Sequence, residues 1–234
     1  TLLLLLAAVL WVIAGVLFAS VDEYAGETGG GGNAITEAFS SLSLLRDDAP
    51  FRHFVITRAL LLCSALAAPY FVVLAQQASD TGWMLGVFLL ASSLASSLSA
   101  SFWGWAADTS SRRVMIRGAA MASAICLAVG VSALVLGTDY GGAWFYPAAF
   151  FVLNIAHAGV RLGRKTYLVD MAGGNKRTDY TAVSNTVIGV LLLATGGLTA
   201  LVSLVSEVAV ILVLGLMGLA GMFSALRLRE VTQE

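Results

Sequence analysis

The residues best suited to chemistry in this chain are polar groups inside long apolar stretches. Asn154, His157 and Arg161 are spaced at i, i+3 and i+7, which places all three on one face of a helix. Ionisable groups at membrane depth are costly and usually face a cavity or a partner. Histidine side chains titrate near neutral pH, which suits His157 to binding a substrate or relaying a proton. Two structural alternatives stay open: a neutral His157 bonded to a neighbouring helix, and an Arg161 that extends to the membrane surface.

Two further polar residues are candidates for the same path. Pro69 is expected to kink the apolar stretch that contains it, and Tyr70 follows directly. Asn185 lies in another apolar stretch. We expect Tyr70 and Asn185 to line a route for a substrate or a proton together with Asn154, His157 and Arg161.

A second group of candidates lies between apolar stretches and is suited to holding a gate. Gly104 is followed at four residues by Asp108 and then by the pair Arg112 and Arg113. An aspartate at a helix end can accept hydrogen bonds from a helix N-terminus, and arginines can hold carboxylates or carbonyls across a gap. Asp170 and Arg177, separated by six residues, form a similar acidic and basic pair, with a solvated basic loop as the alternative.

Patterns typical of enzymes or metal sites are absent from the sequence. His53 and His157 are the only histidines, so there is no His-Glu-x-x-His zinc motif, and no serine–histidine protease pattern occurs. Cys63 and Cys126 lie inside apolar stretches without metal spacing, which favours apolar packing. We therefore expect no enzyme activity, no cofactor and no metal.

Composition defines the elements that must position these residues. The chain is 59% hydrophobic and 12% charged, with a mean hydropathy of +0.88. About 20 apolar residues are needed to cross the hydrocarbon core of a bilayer. The sequence predicts an all-α polytopic membrane protein with about seven transmembrane helices, at Leu2–Val21, Phe54–Ala75, Gly82–Ala107, Val114–Leu136, Ala143–Val160, Ala182–Leu204 and Val208–Leu226. The turn between the last two is placed at Glu207.

Charge predicts the orientation. All 13 basic residues fall in alternate gaps between the predicted spans or within about a turn or two of them: Arg46, Arg52, Arg58, Arg112, Arg113, Arg117, Arg161, Arg164, Lys165, Lys176, Arg177, Arg227 and Arg229. The other gaps carry only Asp80, Asp139 and Glu207. The positive-inside rule makes the basic gaps cytoplasmic, with the N-terminus of this chain outside and its C-terminus inside.

The long gap at residues 22–50 is predicted to be a cytoplasmic loop. Gly29–Gly32 forms a flexible linker. After it, apolar residues recur on one helical face, at Ile35, Ala38, Phe39, Leu42 and Leu45, which predicts an interfacial helix.

The segment from Gly104 to Arg113 resembles the Gly-x-x-x-Asp-Arg-x-Gly-Arg-Arg motif of the major facilitator superfamily, in the copy that joins the eighth and ninth helices. Thr109 replaces the first basic residue of that motif and Ser111 the second glycine. The Asp170 to Arg177 spacing is similar to a second cytoplasmic pattern of the family.

The resemblance implies that residues 1–21 are helix six, residues 22–50 the central loop and residues 51–234 the C-terminal six-helix bundle, so that the fold is an MFS-like half bundle. It further implies a twelve-helix secondary transporter of a small solute, working by alternating access in a bacterial inner membrane. Its partners would be the bilayer, the solute, a coupling proton or ion and the N-terminal half, but no nucleic acid. A non-transporting scaffold or sensor and a seven-helix receptor remain as alternatives.

Overall fold

Helices account for all regular structure in the part of the chain that the structure describes. The computed structural model describes residues 2–20, 43–78, 82–142, 144–173 and 176–231. The chain divides into two compact units, residues 1–37 and 38–234. In the first unit, α1 (Leu2–Ala19) is an apolar helix of 18 residues.

The second unit contains the membrane-spanning bundle. Its described helices are α2 (Leu44–Asp47), α3 (Ala49–Leu60), α4 (Cys63–Ala78), α5 (Met84–Thr109), α6 (Ser111–Leu136), α7 (Phe145–Met171), α8 (Lys176–Ser203) and α9 (Glu207–Leu226). Within the described ranges, six segments are long and apolar enough to cross a membrane, the first being α3 and α4 together. The predicted fold class is confirmed, since the chain is an all-helical polytopic membrane protein.

The turn between the last two predicted spans is also confirmed. Helix α8 ends at Ser203 and α9 begins at Glu207. The Ser206 hydroxyl oxygen accepts a hydrogen bond from the backbone N–H of Ala209 at 3.2 Å. The long apolar stretch is therefore two helices separated by residues 204–206, and Ser206 caps the start of the second.

The predicted spans differ from the observed helices at several ends, and the largest difference, 11 residues, is at the end of the fifth span. The fifth predicted span was expected to end at Val160, with a basic loop after it, but α7 continues to Met171. Arg161, Arg164 and Lys165 therefore lie on a helix, because the appearance of charges lowers hydropathy without ending helical hydrogen bonding.

The span that contains Pro69 is broken at residues 61–62, upstream of the proline, and the kink expected at Pro69 stays a prediction. Helix α3 ends at Leu60 and α4 begins at Cys63, while Pro69 lies inside α4. The predicted interfacial helix and glycine linker lie almost wholly outside the described residues. Of the apolar residues predicted to form one face of that interfacial helix, only Leu45 is described, and it lies in the four-residue helix α2.

Close backbone packing holds α9 against α6. A Cβ atom added to Gly215 would lie 2.9 Å from Leu127, and one added to Gly218 would meet Ser123 and, at 2.9 Å, Cys63. The glycines that are spaced along α8 differ, since added Cβ atoms at Gly189, Gly196 and Gly197 meet nothing within 4 Å. Small residues therefore serve tight helix packing on α9 and leave an open face on α8.

The basic residues gather at one end of the bundle. There the start of α3, the α5–α6 turn, the end of α7 and the end of α9 come together around Phe54, Met115 and Tyr167. The opposite end carries Trp83 and Trp144, whose ring centroids are 5.5 Å apart. We call the first of these the basic end.

Candidate functional site

The centre of the candidate site is Arg58, which connects two helices through its side chain. Its Nη1 donates to the hydroxyl oxygen of Ser184 at 2.6 Å, and its Nη2 donates to Oδ1 of Asn185 at 2.8 Å. Arg58 lies on α3, and both acceptors lie on α8. The charged Arg58 guanidinium therefore donates to two uncharged acceptors within a membrane-spanning region, and neither acceptor is a carboxylate.

His157 forms a second polar contact between helices. Its Nδ1 lies 3.1 Å from the hydroxyl oxygen of Ser64, which joins α7 to α4. Asn154 lies one turn earlier on α7, where its side-chain nitrogen donates to the carbonyl of Phe150 at 2.9 Å. Tyr70 is half-buried and packs against the apolar core. Of the residues predicted to line the path, the structure therefore places Asn154, His157 and Arg161 on one helix and Asn185 beside Arg58, with Tyr70 in the core packing.

Three of the arginines on α3 and α7 differ in their burial. Arg58 is half-buried on α3, while on α7 Arg164 is half-buried and Arg161 is exposed. The Nε atoms of Arg58 and Arg164 are buried and have no hydrogen-bond partner among the described residues.

A cleft of about 380 Å³ opens between α5 and α7, and Arg161 is one of its lining residues. Arg161 and Lys165 contribute its positive charge, and Ser96 contributes a hydroxyl group. The remaining lining residues are Ala100, Trp103, Ala158 and Leu162. The Trp103 ring is fixed in place, since its Nε1 donates to the carbonyl of Ile155 at 2.9 Å. The cleft is large enough for a small ligand.

Some of the predicted gate residues contact other helices, and others are exposed. Arg112 forms an ion pair with Glu230, with 3.3 Å between Nε and Oε2. Its Nη1 also donates to the carbonyls of Leu226 and Leu228 at 3.3 and 3.0 Å. Arg112 therefore connects the first turn of α6 to the end of α9 and the residues after it.

Asp108, Arg113 and Gly104 have a different environment from the one predicted. The N-cap of α6 is Ser110, whose oxygen accepts from the Arg113 backbone N–H at 3.1 Å, while Asp108 is exposed at the end of α5. The Arg113 side chain is also exposed. A Cβ added to Gly104 meets nothing within 4 Å, so no close helix approach depends on this glycine.

Asp170 lies near the end of α7 and Arg177 in the first turn of α8, on either side of the α7–α8 connection. The Ser111 hydroxyl donates to Oδ2 of Asp170 at 3.5 Å, and Arg177 acts electrostatically on the same carboxylate. The Nε of Arg177 donates to the carbonyl of Ala172 at 3.2 Å. The pair thus ties the end of α7 to the starts of α6 and α8.

Sequence reasoning missed several partners at the basic end. The Ser110 hydroxyl donates to Oε2 of Glu230 at 2.8 Å, and the Tyr180 hydroxyl donates to Oδ2 of Asp48. Ser184 was also missed, although it precedes Asn185. The sequence did contain a local signal for two of these residues. Ser110 precedes α6 and Asp48 precedes Pro50, and both positions are typical of helix N-caps.

Comparison with protein-family models, curated proteins and solved structures gave no match for this chain.

Proposed function

We propose that this chain is part of a secondary active transporter for a small solute, working by alternating access. The observation that carries the proposal is Arg58, a cation inside an apolar bundle that holds α3 to α8 through neutral groups. Charged side chains at membrane depth are expensive and mark substrate or ion paths. His157 and Asn154 extend the polar strip along α7, which gives a solute a route lined by several hydrogen-bonding groups.

The packing of the bundle supports a moving element. Helix α8 is exposed along much of its length, and its glycines face open space. By contrast, α6, α7 and α9 pack closely through glycines at Gly118, Gly163 and Gly215. A rigid group of helices beside a loosely held one is what rocking or gating around a site needs.

The resemblance of the segment from Gly104 to Arg113 to the major facilitator motif supports the same proposal. On that mapping the chain supplies helix six and the C-terminal half, and an N-terminal half completes the solute path. The contacts of Arg112 and Asp170 would then latch one conformation at the basic end. We place this end in the cytoplasm of a bacterium, with the bundle in the inner membrane.

The test is a comparison of solute pools in cells that express the intact protein or its Arg58→Gln variant. Mass spectrometry of cell extracts and medium should show at least one small solute whose distribution changes with the intact protein and returns to the vector level with Arg58→Gln. Arg117→Gln is the matched control, because Arg117 is exposed on α6. A solute distribution that matches the vector for every expressed form would reject transport and favour a scaffold or sensor.

A further inference from the structure

A second cleft, of about 300 Å³, lies at the basic end of the bundle. Ala49 and His53 line it from α3, Tyr167 lines it from α7, and Arg227 and Arg229 line it from the chain that follows α9. Helix α3 begins a membrane-spanning segment here, and α7 and α9 end theirs. The space therefore lies where the bundle reaches the boundary of the bilayer. We call it the basic-end cleft.

Hydrogen bonds and packing hold the walls of the basic-end cleft in place. Nε2 of His53 lies 3.2 Å from the hydroxyl oxygen of Ser224, which joins α3 to α9. The Tyr167 hydroxyl donates to the backbone carbonyl of Arg229 at 2.9 Å. Leu228, which precedes Arg229, is buried in the apolar packing at this end. The cleft is thus a formed depression rather than a gap beside a loosely held segment.

Two arginines give the basic-end cleft its positive charge. Arg227 and Arg229 are both exposed, and no acidic residue lines the cleft in the part of the chain that the structure describes. The carboxylate next in sequence, that of Glu230, forms its ion pair with Arg112 and accepts from Ser110. The lining of the cleft therefore offers cations without an anion, which suits a ligand that carries negatively charged oxygens.

Exposed apolar side chains lie about one helical turn deeper in the membrane than the residues of the cleft. Ile56 follows His53 by three residues on the same face of α3 and is 51% exposed. Phe223 precedes Arg227 by four residues at the end of α9 and is 59% exposed. Cations at the boundary with apolar side chains below them match a molecule that has an anionic head and an apolar tail.

We propose that the basic-end cleft binds the headgroup of an anionic phospholipid, whose acyl chains lie against Ile56 and Phe223. Basic pockets between transmembrane helices bind headgroups of this kind. The phosphate oxygens accept from the guanidinium groups of Arg227 and Arg229, whose planar donors match their geometry. Both arginines are exposed, as a ligand that arrives from the bilayer requires. The inference goes beyond transport and does not depend on it.

The first experiment measures how single lipids stabilise the purified intact protein. The protein in detergent is unfolded by heat at increasing concentrations of phosphatidylglycerol, with zwitterionic phosphatidylcholine of the same acyl chains as the reference. A ligand that binds only the folded state raises the midpoint of unfolding in a saturable way. We expect a saturable rise with phosphatidylglycerol and a much smaller one with phosphatidylcholine. Equal responses to the two lipids would overturn the proposal.

Separate variants test the charge and the cavity, each against its own midpoint without lipid. The double variant Arg227→Gln/Arg229→Gln should need about tenfold or more phosphatidylglycerol for the same rise, because charge-assisted hydrogen bonds are lost. Ala49→Phe should also weaken the response, since it places a ring in the cleft and leaves every charge unchanged. Ala49 is exposed, so this change spares the core.

The matched control is Arg117→Gln, because Arg117 is exposed on α6 and does not line the cleft. It should respond to phosphatidylglycerol like the unmodified protein. A loss in Arg117→Gln as large as in the double variant would show a diffuse attraction of anionic lipid to basic charge. An unchanged response in Ala49→Phe would show that the lipid does not enter the cleft. Either result would overturn the proposal.

A last comparison distinguishes a lipid from a soluble anion. Potassium phosphate and glycerol 3-phosphate carry the same phosphate oxygens without acyl chains, and potassium chloride at equal ionic strength is their reference. We expect neither to reproduce the rise seen with phosphatidylglycerol. Saturable stabilisation by either soluble anion, lost in Arg227→Gln/Arg229→Gln, would replace the lipid by a soluble ligand and overturn the proposal. Solute distribution in cells is measured separately, so failure of the lipid site leaves the proposed transport standing.

Discussion

Arg112 and Glu230 form an ion pair across 3.3 Å that ties the first turn of α6 to the residues following α9. Glu230 also accepts from the N-cap serine of α6, Ser110. The carboxylate thus contacts both the cap and the first turn of one helix. Arg112 belongs to the segment that resembles a known motif, and its partner Glu230 lies about 120 residues later in the chain. The spacing of the residues around Arg112 did not indicate this partner.

Loss of this ion pair should loosen the chain end rather than unfold the bundle. Both side chains are partly exposed, at 26% and 39%, so the coupling between Arg112→Gln and Glu230→Gln in a double-mutant cycle should stay below about 1 kcal/mol. Hydrogen exchange of residues 227–231 should become faster in either single variant. Exchange that stays unchanged in both would show that the ion pair does not hold this segment.

Asp108→Asn should slow uptake by the intact protein without lowering its amount in the membrane. Asp108 is exposed and α6 is capped by Ser110 instead, so the change removes a charge at the α5–α6 turn and leaves the cap of α6 in place. Initial uptake rates are compared at matched expression, with Arg117→Gln as a control. Equal rates for Asp108→Asn and the unmodified protein would remove Asp108 from the gate.

His157→Gln should change the pH dependence of uptake if His157 carries a proton on the path. Glutamine preserves a hydrogen-bonding group near Ser64 but does not titrate. Ser64→Ala is the companion variant, because it removes the contact and leaves the histidine. The readout is the initial rate across a pH series; identical profiles for His157→Gln and the unmodified protein would assign His157 a structural role.

Gly218→Ala should destabilise the bundle, whereas Gly196→Ala should not. The added methyl group at Gly218 meets Ser123 and Cys63, so we expect a loss of about 1–3 kcal/mol from overpacking. At Gly196 the methyl group has open space, and alanine favours the helix. Thermal unfolding in detergent compares the two. Equal stability of both variants would contradict the tight α6–α9 contact.

Asp48 should stabilise the start of α3 through its side chain. Its Oδ1 accepts from the Phe51 backbone N–H at 2.9 Å, and its other oxygen accepts from Tyr180. Loss of an N-cap costs about 1 kcal/mol, so Asp48→Ala should destabilise by about 1–2 kcal/mol. Tyr180→Phe should cost less, because the ring stack with Phe51, with centroids 4.3 Å apart, remains. Thermal unfolding that ranks the two variants in reverse order would contradict this division of roles.

Hydropathy alone was enough to predict the helical membrane class and the positions of the spans in the second unit. It failed where charge and helix coincide: Arg164 and Lys165 were assigned to the loop after the fifth span, yet they lie on α7. The helix continues there because backbone hydrogen bonding persists through charged residues whose long side chains reach a more polar environment.

Only part of the candidate site could be predicted from the sequence. The spacing of Asn154, His157 and Arg161 correctly places them on α7. The contact of Arg58 with Ser184 joins residues 126 positions apart, and no local pattern encodes such a pairing.

The two hydrogen bonds from Arg58 to α8 make the position of that helix depend on one side chain of α3. A solute that drew the Arg58 guanidinium away from Ser184 and Asn185 would change the free energy of α8's position, and the position of α8 would change the solute's affinity by an equal factor. Solute binding and helix position would then be two readings of a single coupled equilibrium.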